Sequence, residues 1–255
     1  MLTKTDVEDI KFFEDNSRSM LLKNVQFSQN LTLSINILNY LRIANDVKKN
    51  LPNGSILDWG CGFGQMTYLL RRRGLECHPF DVRGDDFWPD VPLCNQIERI
   101  LSTDKIKLPF NDKMFDGVLS CGVLEHITEC GGDEIESIKE ISRILKPSGK
   151  FFIYQLPQGL AWQENLVQRI GLKKYYHSRR YFKHEIVSIL EYNGFNVIRI
   201  KRSNFIPKTL AGLPESIRNI YGRFSVILNL IDYIICQIPV INVFAGSLEI
   251  LAVKK

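Results

Sequence analysis

The chain has 255 residues, of which 45% are hydrophobic and 24% are charged, and its formal net charge is +5 at pH 7. This composition is typical of a soluble globular protein that buries a substantial core, and it is not that of a low-complexity chain. The positive charge is spread along the chain, so it is only a weak indication of an anionic partner.

The cysteines and the N-terminus bear on the cellular compartment. Six cysteines and four histidines are present, but they form no C-x-x-C pair and show no metal-ligand spacing. We therefore predict no metal site, and we expect free thiols in a reducing cytosol. Residues 1–6 are polar and no signal peptide is recognisable, which favours a cytoplasmic protein.

Residues 1–54 have no strand pattern. Their apolar residues recur at mainly helical intervals, first over 7–13 and then over 31–43. The pattern predicts an N-terminal helical cap that packs on a sheet and covers a ligand. A purely structural extension would give the same pattern.

The strongest local signal lies in residues 55–65. A short apolar run ends at Asp58, and glycines then alternate at Gly60, Gly62 and Gly64 before a helical pattern. This order predicts a buried strand, a tight turn and a helix, which is the ligand-binding corner of a doubly wound α/β fold. The dinucleotide fingerprint G-x-G-x-x-G would need a glycine where Gln65 stands. The pattern is instead D-x-G-x-G-x-G, whose acid suits a ligand that carries an ammonium group.

A second strand is predicted over 76–80, and Asp81 follows it. This acid lies 21 positions after Gly60, the spacing at which a carboxylate that closes the second strand accepts hydrogen bonds from ribose hydroxyls. An acid that only ends a strand at the surface is the alternative. Residues 83–96 contain glycine, prolines and acids, and they predict a long irregular loop instead of a helix.

The following residues carry a family resemblance. A third strand is predicted over 97–101 and a buried fourth strand over 115–120, and the motifs D-x-x-x-L-P-F, F-D-x-V, L-E-H-I and E-I-x-R-I-L-K-P-x-G-x-F follow one another over 104–151. Together with the glycine motif they resemble the class I S-adenosylmethionine-dependent methyltransferases. The similarity is to the ubiquinone/menaquinone-type small-molecule branch and extends over 55–156.

The resemblance implies S-adenosylmethionine as the cofactor. In such enzymes the acid that matches Asp104 binds the adenine amino group, and the residue that matches Thr103 lines the ring. The predicted cofactor-binding residues are Asp58, Gly60, Cys61, Gly62, Gly64, Gln65, Asp81, Val82, Thr103, Asp104 and Cys121. The implied fold is α/β, a doubly wound, Rossmann-like, seven-stranded and mostly parallel sheet with an antiparallel last strand at its edge.

Two residues after the fourth strand are candidates for catalysis. His126 lies where the sheet opens on the ligand, and imidazole titrates near neutrality, so it is the first candidate for a general base. Glu125 is the second candidate. Local packing or capping of a helix would also explain both residues.

The region after residue 156 is the expected acceptor side. The candidate acceptor-binding residues are Gln155, Trp162, His177, Arg179 and Arg180, of which the last three could hold a phosphate or carboxylate. A solvated basic loop is the alternative for those three. Helices are predicted over 135–145 and 183–193, and strands over 150–156, 195–200 and 247–253.

Residues 205–246 form a predicted helical insertion before the last strand. Apolar residues recur at three- and four-residue steps over 217–235 and form one stripe. The stripe predicts either packing against the sheet edge and the cap, or a lid over an apolar acceptor pocket that touches a membrane surface. The longest charge-free run, 233–248, contains Pro239 and is too short to span a bilayer.

The sequence thus predicts one methyltransferase domain over 1–255, with a cap over 1–54, a cofactor-binding core over 55–156 and an acceptor side over 157–255. The predicted activity is O-methylation of a small-molecule, sugar or lipid-linked acceptor. No nucleic-acid partner is predicted, since the N-P-P-Y type motif of DNA amine methylases is absent after the fourth strand. A nicotinamide-dependent oxidoreductase and a catalytically silent cofactor-binding partner subunit remain as alternatives.

Overall fold

A computed structural model describes residues 2–25, 31, 33–82, 88–171, 177–208, 210 and 214–255 of the protein. Residues 83–87 of the predicted loop lie outside this description. The described part of the loop, 88–96, contains only a short 3₁₀ turn at Cys94–Gln96.

Seven strands form one sheet in the order β3-β2-β1-β4-β5-β7-β6. The strands β1 to β5 pair in parallel, and β7 pairs antiparallel with both β5 and β6. This confirms the predicted doubly wound, mostly parallel sheet. The strands are β1 Ser55–Trp59, β2 Glu76–Asp81, β3 Ile100–Leu101, β4 Phe115–Cys121, β5 Leu145–Pro157, β6 Phe195–Ser203 and β7 Ser247–Lys254.

The predicted position of the last strand was wrong. β7 lies inside the sheet between β5 and β6, and β6 forms the edge. The first six residues of β7 are buried, as an inner strand requires. β6 instead alternates in exposure and carries Arg199, Lys201 and Arg202, charges of the kind that protect an edge strand from further pairing.

Three other strand boundaries differ from the prediction, and one of them is that of β6, which ends at Ser203 instead of residue 200. β3 has two residues instead of five, because Ile97 is buried against the glycine turn, where it lies within reach of Gly64. β5 begins at Leu145 instead of residue 150. Leu145, the first residue after a helix, pairs with Phe115 of β4. The register of the two strands then shifts between Phe115 and Gly117.

Eight α-helices are described, and those predicted over 135–145 and 183–193 are confirmed to within a residue at each end. They are α1 Lys4–Leu22, α2 Ser34–Asn50, α3 Gln65–Arg72, α4 Glu134–Ile144, α5 Trp162–Arg169, α6 Lys183–Tyr192, α7 Glu215–Arg223 and α8 Ser225–Ile235. The stripe predicted over 217–235 is divided between α7 and α8, which meet at Phe224.

The sheet has a hydrophobic core on each face. On one face Leu119 and Phe152 pack with α2 and α3, and on the other Val118 and Phe151 pack with α4 and α6. Alternate residues of β4 and β5 therefore face opposite layers, as the strand period of two requires.

Ion pairs attach the N-terminal helices to the sheet layer. The guanidinium of Arg73, at the end of α3, lies 2.7 Å from Asp6 and 3.1 Å from Asp9 of α1, and its side chain is 7% exposed. In α2, Arg42 donates to Glu249 of β7, and Asp46 accepts from Tyr154 and Arg199. The helical cap is therefore bound to both the parallel and the antiparallel half of the sheet.

No helix in the described part of the chain is long and apolar enough to cross a membrane. The six cysteines carry free thiols, and four of them are buried.

Candidate active site

The glycine turn after β1 is fixed to the neighbouring strand. The N–H groups of Gly60 and Cys61 both donate to the carbonyl of Phe80, at 2.8 and 2.9 Å. Gly60 has φ of 71°, and a Cβ at this position would lie 2.7 Å from the side chain of Val123. Only glycine allows the turn to pass this close to the segment after β4.

Asp58 lies in β1 below the turn and is 2% exposed. Its Oδ2 accepts a hydrogen bond of 2.6 Å from the hydroxyl of Thr67 in α3. Burial raises the pKa of Asp58 to about 6, against the lowering effect of the Thr67 hydrogen bonds. Asp58 therefore ties the turn to α3, and its binding of a ligand ammonium group stays a prediction.

Asp81 ends β2 and points back to the turn. It is 2% exposed, and its Oδ2 accepts a hydrogen bond of 3.0 Å from the N–H of Gly62, whose φ is 57°. The turn between β1 and α3 thus carries a buried carboxylate from the neighbouring strand. Val82 follows Asp81 just beyond the carboxyl end of β2 and is half-buried. The place of Asp81, at the carboxyl end of β2 and beside the glycine turn, is the one that the predicted contact with ribose hydroxyls needs.

Thr103 and Asp104 lie apart from this buried group. Both are exposed, and Asp104 Oδ1 accepts from the N–H groups of Ile106 and Lys107 at 2.9 and 2.8 Å. These two backbone hydrogen bonds lower the pKa of Asp104. The structure thus gives Asp104 a role in closing a turn, and contact with adenine stays a prediction for both residues.

The cap contributes a buried tyrosine that the sequence analysis did not select. Tyr40 of α2 is 4% exposed, and the side-chain amides of Gln65, Gln155 and Asn36 lie near its hydroxyl. Burial, with the nearby Cys121 thiol, raises the pKa of Tyr40 well above its usual value. The detectable signal was a hydroxyl group on the helix face that also carries Asn36 and Asn39 among apolar residues. Tyr40 joins α2, α3 and β5 at the carboxyl ends of the strands.

Several buried polar atoms in this region have no hydrogen-bond partner among the described residues. They include Gln65 Oε1, Ser120 Oγ, Glu125 Oε2 and Gln155 Nε2. Native proteins pair nearly all buried polar groups, so a cluster of unpaired ones at the carboxyl ends of strands indicates the place of a polar ligand. Gln155 also has φ of 58° at an irregularity in β5, a backbone strain that is concentrated at functional sites.

Glu125 and His126 lie together in a 3₁₀ turn directly after β4. His126 Nδ1 is 2.9 Å from Glu129 Oε2, and His126 Nε2 is 3.9 Å from Glu125 Oε1. The His177 ring lies 5.4 Å from the His126 ring, and the adjacent Ser178 donates to Glu129. The structure therefore brings the predicted residues Glu125, His126 and His177 together and adds Glu129. The sequence could have indicated Glu129, because it lies three residues after His126.

Burial has a strong effect on Glu125. Glu125 is 3% exposed, and desolvation raises the pKa of its carboxyl group to about 8. At neutral pH the protonated carboxyl can donate a hydrogen bond, which an ordinary glutamate cannot do. Glu125, His126 and His177 also offer ligand atoms within 4.8 Å of one another, so the group could hold a metal ion, which the sequence analysis did not predict.

Arg179 does not lie free for an acceptor. It donates to Glu134 and Glu185 at 3.2 and 2.7 Å and covers the ring of Tyr181. These contacts favour a role in attaching the 177–181 segment to α4 and α6. Acceptor binding by Arg179 therefore has no support in its contacts.

Trp162 and Arg180 are likewise engaged with the protein. The Trp162 indole donates to the carbonyl of Phe205 at 2.8 Å, and Arg180 donates to Asn165 at 2.8 Å. Of the predicted acceptor-side residues, His177 and Gln155 lie near the turn that carries Glu125 and His126. A Cβ on Gly122 would lie 3.7 Å from Gln155 Oε1 and 3.8 Å from Glu125 Oε1, which places the two side chains on the same side of this glycine.

Residues 57–153 match the family model described as a methyltransferase domain. These residues contain the glycine turn, Asp81 and the Glu125–His126 turn. They form a methyltransferase domain, and its fold is that of a solved S-adenosylmethionine-dependent methyltransferase.

Relatives of this methyltransferase domain act in different contexts. Probable tRNA methyltransferase 9B of Mus musculus is 31% identical over 114 residues, which cover 44% of this chain and 24% of that protein. A sterol 4-C-methyltransferase of Caenorhabditis elegans is 30% identical over 110 residues, covering 41% of this chain and 31% of that protein. The chain thus spans less than a third of the length of these relatives.

A solved structure shows the same fold over nearly the whole chain. It is a methyltransferase of Thermotoga maritima described as a possible histamine N-methyltransferase, with a TM-score of 0.56 and 15% identity, and the match covers 96% of this chain and 97% of that one. The methyltransferase family favours S-adenosylmethionine over the nicotinamide alternative. The buried carboxylates and unpaired amides fit this ligand, because it carries hydroxyl, ammonium and carboxylate groups.

Proposed function

We propose that this methyltransferase transfers a methyl group to an oxygen atom of a small-molecule, sugar or lipid-linked acceptor. The observation that carries the proposal is the His126–Glu129 pair, which adjoins the buried Glu125 at the carboxyl end of β4. An oxygen nucleophile of high pKa needs a base, whereas an amine or thiolate does not. The predicted likeness to the ubiquinone/menaquinone-type branch also favours an oxygen acceptor.

In the proposed mechanism the cofactor is held by the glycine turn, Asp81 and the Tyr40–Gln65–Gln155 group. When bound, S-adenosylmethionine supplies an electrophilic methyl group, and the electron pair of the broken C–S bond stays on sulfur. Placement of the acceptor next to that methyl group can itself supply several kcal/mol.

The side chains near His126 then have separate roles. Glu129 accepts a hydrogen bond from the Nδ1–H of His126, so that Nε2 is the acceptor for the hydroxyl proton. The negative charge of Glu129 stabilises the imidazolium that results. Glu125, protonated at neutral pH, is a hydrogen-bond donor to the acceptor, and Gln155 and His177 contact the acceptor from the other sides.

The test is to incubate the protein with methyl-labelled S-adenosylmethionine and a cell extract divided into lipid, soluble small-molecule, tRNA and protein fractions. The proposal expects label in the lipid or small-molecule fraction, stable to treatments that cleave methyl esters but removed by ether cleavage. Label in tRNA would overturn it and would favour the activity named for the mouse relative. Cofactor binding with no label in any fraction would favour the catalytically silent alternative.

A further inference from the structure

The segment before β7 exposes an unusual amount of apolar surface. We define the apolar hairpin as α7, α8 and the following 3₁₀ turn, Ile241–Phe244. Thirteen of the 25 large apolar side chains that the described residues expose belong to residues 215–244, so the exposure is concentrated there. Val226 is 67% exposed, Leu230 59%, Tyr233 62% and Val240 76%. Patches of this kind mark interaction sites in soluble proteins.

The part of this surface that follows α7 has almost no charge. Residues 225–248 contain one charged residue, Asp232, and it is 7% exposed. Asp232 pairs with Lys208 at 2.9 Å and accepts from the N–H of Ile206. The one acid of α8 therefore faces the protein, and the opposite face of the helix is apolar.

Basic residues border the apolar hairpin. Arg223, exposed, ends α7 directly before Phe224, and Arg202 of β6 donates to Asn242 in the 3₁₀ turn at 3.1 Å. Residues 194–231 contain six basic residues, of which Lys201 and Arg223 are exposed, whereas Lys208 is buried in its pair with Asp232. An apolar face with a cationic border is complementary to the boundary of an anionic bilayer, where acyl chains lie beneath negative headgroups.

Helix length agrees with a position in the plane of such a boundary. α8 has 11 residues, so it is about 16 Å long at 1.5 Å per residue, roughly half the thickness of a bilayer core. A cavity of about 270 Å³ lined by Ile217, Ile220, Tyr221, Phe224 and Leu228 lies at its N-terminal end. This space is apolar and can accept part of an acyl chain.

We propose that the apolar hairpin docks the protein on an anionic membrane surface. A second copy of the chain is a less suitable occupant, because a symmetric contact through this face would bring the two cationic borders together. The hairpin is joined to the active site by α2, since Asn229 of α8 donates to the carbonyl of Ile35 and α2 carries Tyr40. If the proposed O-methylation is correct, a lipid-linked acceptor would reach the site along this helix.

The test is co-sedimentation with vesicles of phosphatidylcholine alone or mixed with phosphatidylglycerol, at low and high salt. We expect wild-type protein to bind the mixed vesicles and to be released by salt. Phe224→Asp and Leu230→Asp should each reduce the partition coefficient on the order of 10-fold or more, since each removes an inserted apolar side chain. The matched control is Tyr192→Asp, which changes a side chain of α6 that is 87% exposed and outside the hairpin.

Calorimetric affinity for S-adenosylmethionine, measured without vesicles, shows whether each variant is folded. It also separates this inference from the proposed function, because vesicle binding needs no turnover. Wild-type protein that stays in the supernatant with mixed vesicles, or variants that bind as wild type does, would overturn the inference. A dimer seen by light scattering that Phe224→Asp dissociates would assign the surface to a second copy instead.

Discussion

Glu129 and His126 form a hydrogen-bonded pair in which Glu129 Oε2 lies 2.9 Å from His126 Nδ1. The other imidazole nitrogen, Nε2, is directed to the buried Glu125, at 3.9 Å. A carboxylate that holds Nδ1–H fixes the tautomer in which Nε2 accepts protons. In the proposed mechanism the pair prepares a base at the carboxyl end of β4, where ligands of this fold bind.

We expect His126→Ala to reduce turnover by about 10²–10⁴-fold, the usual contribution of a positioned base. Cofactor affinity should not change, because the described side-chain contacts of His126 are with Glu125, Glu129 and His177, outside the glycine turn. The measurement is release of S-adenosylhomocysteine with the acceptor fraction that takes up label. A variant that keeps near wild-type turnover would show that His126 only packs locally.

Glu129→Gln should also lower turnover, because it removes the charge that stabilises the imidazolium, and the pH at half-maximal rate should shift. The control is Glu136→Gln, which changes an exposed glutamate that pairs with Lys139 on α4.

Treatment with EDTA distinguishes a base from a metal ligand, and we expect turnover to survive it. Loss of activity that Mg²⁺ or Zn²⁺ restores would assign Glu125, His126 and His177 to a metal site.

Asp81→Ala should weaken binding of S-adenosylmethionine by about 1.5–3 kcal/mol, the usual effect of losing hydrogen bonds to a charged group. Gly62→Val should abolish binding. Because Gly62 has φ of 57°, part of any effect is backbone strain, and Gly131→Val, at φ of 81° in a position with no atoms within 4 Å, is the matched control. Titration calorimetry gives both affinities, and unchanged binding in the Asp81 and Gly62 variants would remove them from the cofactor site.

The raised pKa of Glu125 has a consequence for stability. In the unfolded chain this carboxyl loses its proton near its ordinary pKa of about 4.3, whereas in the folded protein it keeps it to a pH of about 8. Between these values the folded state binds more protons, so the free energy of unfolding falls as pH rises. Glu125→Gln should remove this loss and stabilise the protein by about 3–4 kcal/mol at pH 7, because about 2.7 pKa units separate the ordinary pKa from this pH and each unit corresponds to about 1.4 kcal/mol.

Urea denaturation of the Glu125→Gln variant and of wild type at several pH values tests this. The free energies of unfolding of the variant and of wild type should converge at acid pH and separate above it. For Glu14→Gln, at an exposed position of α1, the free energy of unfolding should depend on pH as it does in wild type. A separation that does not change with pH would mean that burial does not raise the pKa of Glu125.

Arg73 should contribute far more to stability than its neighbour Arg72. Both contact acids of α1, but the Arg73 side chain is 7% exposed and the Arg72 side chain 38%. Arg73→Ala leaves Asp6 and Asp9 buried without this partner, which should cost about 3–5 kcal/mol. Arg72→Ala should cost about 1 kcal/mol or less. Equal losses in urea denaturation would show that the docking of α1 on α3 does not depend on the buried guanidinium.

The parts of the fold that the sequence predicted are those with strong local signals. The glycine turn, Asp81 and the buried β4 follow from residue type and spacing alone, since positive φ and strand burial restrict which residues fit. The place of β7 between β5 and β6 is a long-range pairing, and local periodicity does not encode it. The same holds for Tyr40, whose polar partners lie on α3 and β5.

Several predicted site residues have contacts within the protein that the sequence did not indicate, and these contacts have a common physical cause. Arg179, Trp162 and Asp104 are polar or aromatic groups near the site, and from sequence they were candidates for ligand contacts. In the folded chain their polar atoms are engaged with Glu185, with the carbonyl of Phe205 and with the N–H groups of Ile106 and Lys107. Such partners are distant in sequence or depend on loop geometry, so they become visible only with coordinates.

The most direct test of the account is titration calorimetry of the wild-type protein with S-adenosylmethionine, S-adenosylhomocysteine and NAD. The account predicts one saturable site for S-adenosylmethionine, competition by S-adenosylhomocysteine at the same site, and no heat with NAD. Absence of S-adenosylmethionine binding, or binding of NAD in its place, would contradict the assignment of the turn between β1 and α3 as a methyl-donor site.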